Sequence, residues 1–279
     1  MAFKFSLKKF HFTAWIFGFA LHWRNLKKDR TTLSDEQWEK IKPLLPANDQ
    51  APGRKPTLGN RLFLEALFFL IRAGIAWRDL PERFGNWNSI YRRYARWTEK
   101  GVWTSIFGQQ SGGRLDLSEA DMDSTIVRVH QHASGARKSE GDQAIGCSRG
   151  GRTTKIHTVI EALERMVHFT LTGGNVNDCT QARQLLETVP AQSVAADKAY
   201  DTEETIRTIE QNGGVAAIPS KSNRKVQRPL DRERYKRRNR IERFFCKLKH
   251  FRSIATRYAK LARRFAAFIL MVGILHWTA

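Results

Sequence analysis

The chain has 279 residues and a formal net charge of +21. A 41% apolar content is ordinary for a globular protein, so a packed core is expected and the chain can hold one large domain or two smaller ones. A field this positive disfavours a compact monomer unless a polyanion offsets it, and nucleic acid is the commonest such partner, ahead of a membrane surface. Cys147, Cys179 and Cys246 are odd in number, far apart and lack metal-ligand spacing, so reduced thiols are expected, with neither a disulfide framework nor a zinc site.

In chain order, Phe12 to Trp23 is an apolar run behind Lys8 and Lys9. It is too short to span a bilayer and too bulky at its end for a signal-peptide cleavage site. Residues 1–32 are therefore expected to be an extension outside the fold. From Leu33 the pattern becomes regular. Ser34 or Asp35 caps a helix to about Leu45, limited by Pro43 and Pro46. A polar loop from Asn48 to Gly59 follows, then an apolar helix from Asn60 to Arg72 that stops at Gly74, and a turn at Leu80-Pro81. Asn86 caps a helix to about Lys100. Trp87, Ile90, Tyr91, Tyr94 and Trp97 form its apolar face, and Arg92, Arg93 and Arg96 are expected opposite them. Short helices ending in a basic one fit a helix-turn-helix module that contacts DNA; a small bundle with solvated arginines gives the same pattern.

Beyond Gly112-Gly113 the period changes. Ala120 to His130, Thr153 to Ala162 and Met166 to Thr172 read as strands, with a long loop from Gln131 to Gly151. Asp178 to Thr188 reads as a helix, Ser193 to Ala196 as a short buried strand, Asp201 to Asn212 as a helix, and VAAIP from Val215 as a strand. A basic linker, Ser220 to Pro229, leads to a long basic helix that opens at Asp231, and Phe265 to Leu275 reads as a buried terminal helix. This order predicts an α/β fold with a mixed sheet over residues 115–279, preceded by a small all-α domain over 33–110.

Between Lys221 and Arg264, eighteen Lys/Arg face three acids, Asp231, Glu233 and Glu242, a local charge of +15. Glu242 lies in the middle of it, either as an ion-pair partner or as a metal ligand placed where a polyanion would lie. With Tyr235 at zero and about 100° per residue, Arg238, Glu242 and Lys249 fall within about 60° of it. Ile241, Phe244, Phe245, Leu248 and Phe251 cluster on the opposite, core-facing side. An i,i+4 Arg–Glu ladder would give the same stripe. Asp123 within the first strand and Asp197 at the end of a later one are the other candidates, because α/β sheets assemble sites outside the carboxyl ends of strands. Asp121, two residues from Asp123 and on the same strand face, is a rival. Hard carboxylate oxygens suit Mg²⁺, which bridges to phosphate, and two such ions about 3.5–4 Å apart clamp the oxygens of an in-line displacement.

The pattern Y-x2-R-x3-E-x6-K is met by Tyr235, Arg238, Glu242 and Lys249. DSTIVRVHQHASGARK from Asp123, SRGGRTTKIH from Ser148, ADKAYD from Ala196 and the N-terminal LSDEQWEKIKPLLP…AGIAWRDLPERFGNWNSIYRRYARW accompany it in order. From Leu33 to Trp277 the chain resembles the bacterial insertion-sequence DDE transposases of groups four and five, the group-five members above all. The resemblance implies an RNase H-like catalytic domain in which Asp123, Asp197 and Glu242 hold two Mg²⁺, with Mn²⁺ as a substitute. It also implies DNA backbone contacts by Tyr235, Arg238 and Lys249, and a helical module that helps to recognise terminal inverted repeats. By the same resemblance the partners are double-stranded DNA, both element ends and target, and at least a second copy of the chain in a synaptic complex. No membrane is expected, and the place of action is the bacterial cytoplasm at the nucleoid. The expected chemistry is cleavage at the element end and joining of the 3′-OH to target DNA. An inactive or domesticated DNA-binding derivative acting as a regulator is the alternative.

Overall fold

A computed structural model describes residues 32–46, 58–112, 115–187 and 189–278. The extension expected over 1–32, save its last residue, and most of the loop from Asn48 lie outside these described residues. Ser34 closes a capping box with Gln37 and starts α1 (Asp35–Ile41), which tightens into a 3-10 turn over Lys42–Leu44 at Pro43. Helix α2 (Asn60–Ala73) ends at Gly74, whose φ of +68° is left-handed and whose N–H caps Leu70. The Asn86 side chain accepts from the N–H groups of Asn88 and Ser89 and opens α3 (Trp87–Glu99). A fourth helix, α4 (Val102–Ser111), has no counterpart in the sequence reading. Its Trp103, Ile106 and Phe107 are buried, yet only one turn separates it from α3, so the apolar pattern has no clear break there.

The sheet is built on β1 (Ala120–Val129), with β2 (Gly146–Ser148), β3 (Gly151–Glu161) and β4 (Met166–Gly173). A 3-10 turn at Asp178–Gln181 leads into α5 (Ala182–Leu186), so this helix is shorter than expected. Strand β5 (Ser193–Ala196), α6 (Glu203–Gln211) and β6 (Val215–Ala217) follow. β3 pairs antiparallel with β1, β2 and β4, whereas β5 runs parallel to β1 and to β6. Counted without the short β2 and the two-residue strand Thr256–Arg257, which pairs with the end of β1, the order β4-β3-β1-β5-β6 is the mixed sheet of an RNase H-like domain.

The basic helix is two helices. α7 (Arg232–Arg237) and α8 (Asn239–Lys249) meet at Arg238, and α9 (Arg252–Ala255), β7 (Thr256–Arg257) and α10 (Ala262–Thr278) complete the chain. The preceding linker is anchored rather than free, because Arg224 and Arg228 both pair with Asp201 and Glu203.

Alternation along β1 decides what each sheet face meets. Met122 and its cross-strand partner Val159 pack with α5, α6 and β5. Asp121, Asp123 and Val127 face the other side, where Ile241, Phe244, Phe245 and Leu248 of α8 are buried as the stripe argument required. Helices α1 to α4 share this second core with α10. The Tyr94 hydroxyl donates to Arg264 O, Ser253 Oγ to Leu70 O, and Trp277 Nε1 to Met166 O. Phe63, edge-on to Trp97 at 5.1 Å, anchors the helical side; truncating such a residue to Ala costs about 3–5 kcal/mol.

Candidate active site

The parallel register sets Met122 beside Ala196, so Asp123 and Asp197 are side by side one residue further along. Asp197 leaves the strand end and caps the following turn, its Oδ1 accepting from Ala199 N at 2.8 Å. Asp123 Oδ1 accepts from Ser124 N at 2.7 Å, and its Oδ2 from Arg238 Nη1 at 2.6 Å. Burial pushes the Asp123 carboxyl up to about 6, and the nearby negative charge of Asp197 adds to that; Arg238 opposes it without prevailing.

Arg238 stands at the α7–α8 junction and reaches two acids. Its Nη2 lies 3.4 Å from Glu242 Oε1, a long i,i+4 contact to a half-exposed carboxylate. Its guanidinium is also 5.8 Å from the Tyr235 ring. Lys249, half-buried on the same stripe, has its ammonium pushed down by burial, with Cys246 and Glu242 acting the other way. Asp123 and Asp197 are thus adjacent, and Glu242 is tied to Asp123 through a cation. Among the described residues no three His, Cys, Asp or Glu side chains are grouped closely enough to hold a metal ion. The donor set itself is all carboxylate oxygen, the chemistry that suits a hard divalent cation.

Asp121 is separated from its rival by its partners. It is fully buried, accepting from Arg234 Nη1 at 2.7 Å and from Arg240 Nε at 2.9 Å. Both its oxygens are committed, so it belongs to the scaffold. The same holds for much of the basic segment. Arg234 is itself buried, Arg237 and Arg240 pair with Glu119, and Arg243 and Lys247 pair with Glu164. The local charge of +15 is therefore only partly open, because acids from remote strands and turns neutralise several of these cations.

Arg93 requires a correction of the same kind. It is buried, donates to Leu58 O at 3.0 Å, and covers the Phe63 and Trp97 rings at 4.3 and 4.8 Å. Arg92 and Arg96 are exposed. Position 93 turns inward because the space beside Leu58 and Asn60 accepts a guanidinium over two rings, an outcome that helical periodicity does not encode.

A polar cluster beside Asp123 was missed. Asp178 Oδ1 accepts from Ser124 Oγ at 2.7 Å and pairs with Lys155 at 2.9 Å. His157 Nε2 contacts Thr172 Oγ1 at 2.8 Å, and burial pushes its imidazole down to about 4, so it is neutral near pH 7. Burial raises the buried Tyr200 phenol well above its ordinary value, and the charges of Asp123, Asp178 and Asp197 raise it further. The available signal was the i,i+2 spacing of Lys155 and His157 in a strand, which puts both on one face.

Two family matches cover these elements. Residues 33–107 match a family described as "Putative transposase of IS4/5 family", and residues 114–277 match "Transposase DDE domain". The second match spans more than half of the sequence and contains Asp123, Asp197 and Glu242: this chain belongs to the DDE transposase family, of the IS4/5 type. It is 35% identical over 127 residues, 45% of this chain and 98% of the relative, to the "Putative transposase for insertion sequence element IS6501" of Brucella ovis. An uncharacterised protein of Sinorhizobium fredii is 46% identical over 109 residues, 39% of this chain and 86% of that protein. Among solved structures, a piggyBac transposase synaptic complex with hairpin DNA aligns at 11% identity and TM-score 0.38. That alignment covers 70% of this chain and 50% of that one, so the chain spans about half of its length, and the likeness is too distant to carry weight.

Proposed function

We propose that this protein is a DNA transposase that cleaves the phosphodiester at insertion-sequence ends and joins the freed 3′-OH to target DNA. The observation that carries this reading is the parallel β1–β5 register, which sets Asp197 beside Asp123 under an arginine shared with Glu242. Asp123, Asp197 and Glu242 would hold two Mg²⁺, or Mn²⁺, which supply charge stabilisation at the phosphate oxygens and activation of the attacking oxygen. The residues themselves position and neutralise. Release of Asp123 by Arg238 would free its Oδ2, with Oδ1 still accepting from Ser124 N, and would free a planar guanidinium for a phosphate, which it binds bidentately. Tyr235 and Lys249 extend that contact along the stripe, and Arg92 and Arg96 add to it from α3. Catalysis then rests on orientation and preorganised charge.

Two element ends must meet for joining, so assembly as a dimer or larger synaptic complex on double-stranded DNA belongs to this reading, as does action at the bacterial nucleoid. No helix among the described residues is long and apolar enough to cross a membrane.

The test is Glu242→Gln in a strand-cleavage assay with Mg²⁺ and a duplex carrying the inverted repeat that flanks the gene. Cleavage is expected to fall by orders of magnitude while DNA binding persists; unchanged cleavage sinks the triad assignment. Joining of a pre-cut 3′-OH end to plasmid separates a transposase from a plain nuclease, and binding without any cleavage by the wild type would leave the regulator.

A further inference from the structure

We propose that the rings of Tyr258 and His130 form a stacking platform for an unpaired nucleobase, a second DNA-binding site that rests on the DNA-acting function proposed above. β7 runs parallel to the end of β1, with Arg128 beside Thr256 and Val129 beside Arg257. One residue further, His130 lies beside Tyr258, and alternation turns both rings to the sheet face that carries Arg128, away from Asp123. The two rings stack at 4.6 Å and 29°, and His132 meets His130 edge-on at 4.4 Å. Tyr258 is nonetheless 46% exposed, so beyond the His130 ring it still offers an open surface.

The platform is held from the opposite face of β7. Arg257 is fully buried there and has no carboxylate partner among the described residues. Its guanidinium donates instead to Ala259 O at 3.0 Å, Lys260 O at 3.2 Å, Gln143 O at 2.7 Å and Thr154 Oγ1 at 2.7 Å, and its own carbonyl accepts from His130 N at 3.0 Å. The chain on both sides of the stack is thereby fixed, and a rigid aromatic loses little freedom when a base settles on it.

Charge selects the ligand. Arg128 and Lys260 are exposed and have no carboxylate partner among the described residues. Arg128 is two residues from His130, about 7 Å along the strand. A Cβ built on Gly135 would lie 3.9 Å from Lys260 Cε and Nζ, which puts that ammonium over the turn that follows His130. The acids of the adjoining loop are engaged elsewhere: Glu140 pairs with Arg263, and Asp142, whose charge acts on Arg257, accepts from Ala144 N. An open ring flanked by two cations fits a base with its neighbouring phosphates. Bases inside a duplex expose no free face, so the ligand is a single strand or a base out of its pair.

The experiment measures the anisotropy of a fluorescein-labelled oligothymidylate, and of a random-sequence duplex, at fixed salt. Wild type is compared with Tyr258→Ala, with Tyr258→Phe and with Arg207→Ala, an exposed arginine of α6. Loss of one stacked base should weaken single-strand binding by Tyr258→Ala roughly 5- to 150-fold and leave duplex binding unchanged. Tyr258→Phe and Arg207→Ala should stay close to wild type. A 2-aminopurine placed in the oligothymidylate should be quenched on binding the wild type and the Phe variant but not the Ala variant, a signature that a merely structural role does not produce. Circular dichroism melts verify folding, and Tyr258→Leu, which keeps bulk without a ring, takes over if the Ala variant is unfolded. Wild-type affinity and quenching in the ringless variant, or a loss equal for single strand and duplex, overturns the platform. So does a wild type that binds the duplex alone. If the wild type binds neither, the function proposed above fails instead, so the two failures are distinct.

Discussion

Replacing Arg234 with Ala tests the claim that part of the basic segment is scaffold. The side chain is 2% exposed, bonds Asp121 Oδ1 at 2.7 Å, Ala120 O at 2.7 Å and Ser193 Oγ at 3.2 Å, and lies 3.8 Å from Glu119 Oε1. It thereby ties α7 to β1 and β5, the two strands that carry Asp123 and Asp197. Removing one partner of a buried pair costs about 3–5 kcal/mol, because the other charge stays buried. Arg240 still pairs with Asp121, which argues for the lower end of that range, about 3 kcal/mol. At about 2–4 °C per kcal/mol for domains approaching this size, the melting temperature should drop by roughly 6–12 °C. Differential scanning fluorimetry at pH 7 is the assay, with Arg232→Ala as the reference, since Arg232 is exposed and has no ion pair among the described residues. Raising the salt from 0.1 to 0.5 M, roughly halving the Debye length, should leave the Arg234 effect nearly intact, because buried pairs are weakly screened. A loss below about 1 kcal/mol, or one matched by Arg232→Ala, would refute the scaffold reading, since surface changes stay within about 0.5 kcal/mol.

Other outcomes follow from the same geometry. Arg93→Ala should destabilise the fold by about 2 kcal/mol through lost cation–π and hydrogen-bond contacts, whereas Arg92→Ala and Arg96→Ala should weaken duplex binding and leave the melt unchanged; thermal and anisotropy titrations separate the two classes. Gly74→Ala should cost more than about 1 kcal/mol, because it forces a side chain into left-handed backbone and its Cβ would meet Arg252 Cβ at 2.6 Å; a neutral result in urea unfolding would contradict that packing. Asp123 has a folded pKa of about 6, raised from 3.8. Its stabilising contribution is therefore complete below about pH 3.8 and lost as pH rises through about 6, by about 1.4 kcal/mol per unit within that window. Asp123→Asn should remove this component, so the variant's stability relative to wild type should be greater at pH 8 than at pH 4.5; equal differences at both pH values would show that burial does not dominate this carboxyl.

Local order was legible in the chain because it depends on near neighbours. Ser34 and Asn86 cap helices by bonding N–H groups two or three residues on, and the buried face of α8 follows from 3.6-residue periodicity. Three motif residues, Asp123, Asp197 and Glu242, were identifiable by type and by resemblance. Their spatial relation required the sheet, since the β1–β5 register joins positions far apart in sequence.

The same division decides which charged residues are free. Period-2 alternation puts Asp121 and Asp123 on one face and cannot rank them. Arg234 and Arg240, arriving more than a hundred positions later in the chain, saturate Asp121 and leave Asp123 beside Asp197. Glu119 and Glu164 withdraw several cations from the basic stretch by the same kind of remote pairing. Arg93 folds inward while Arg92 and Arg96 do not. Sequence alone determined most of the elements, though not the helix Val102–Ser111 or the break at Arg238, together with their apolar faces and the family to which the motifs point. Tertiary structure decided which carboxylates are occupied and which arginines remain open, because ion pairing depends on distances of a few ångströms that sheet register and helix docking set.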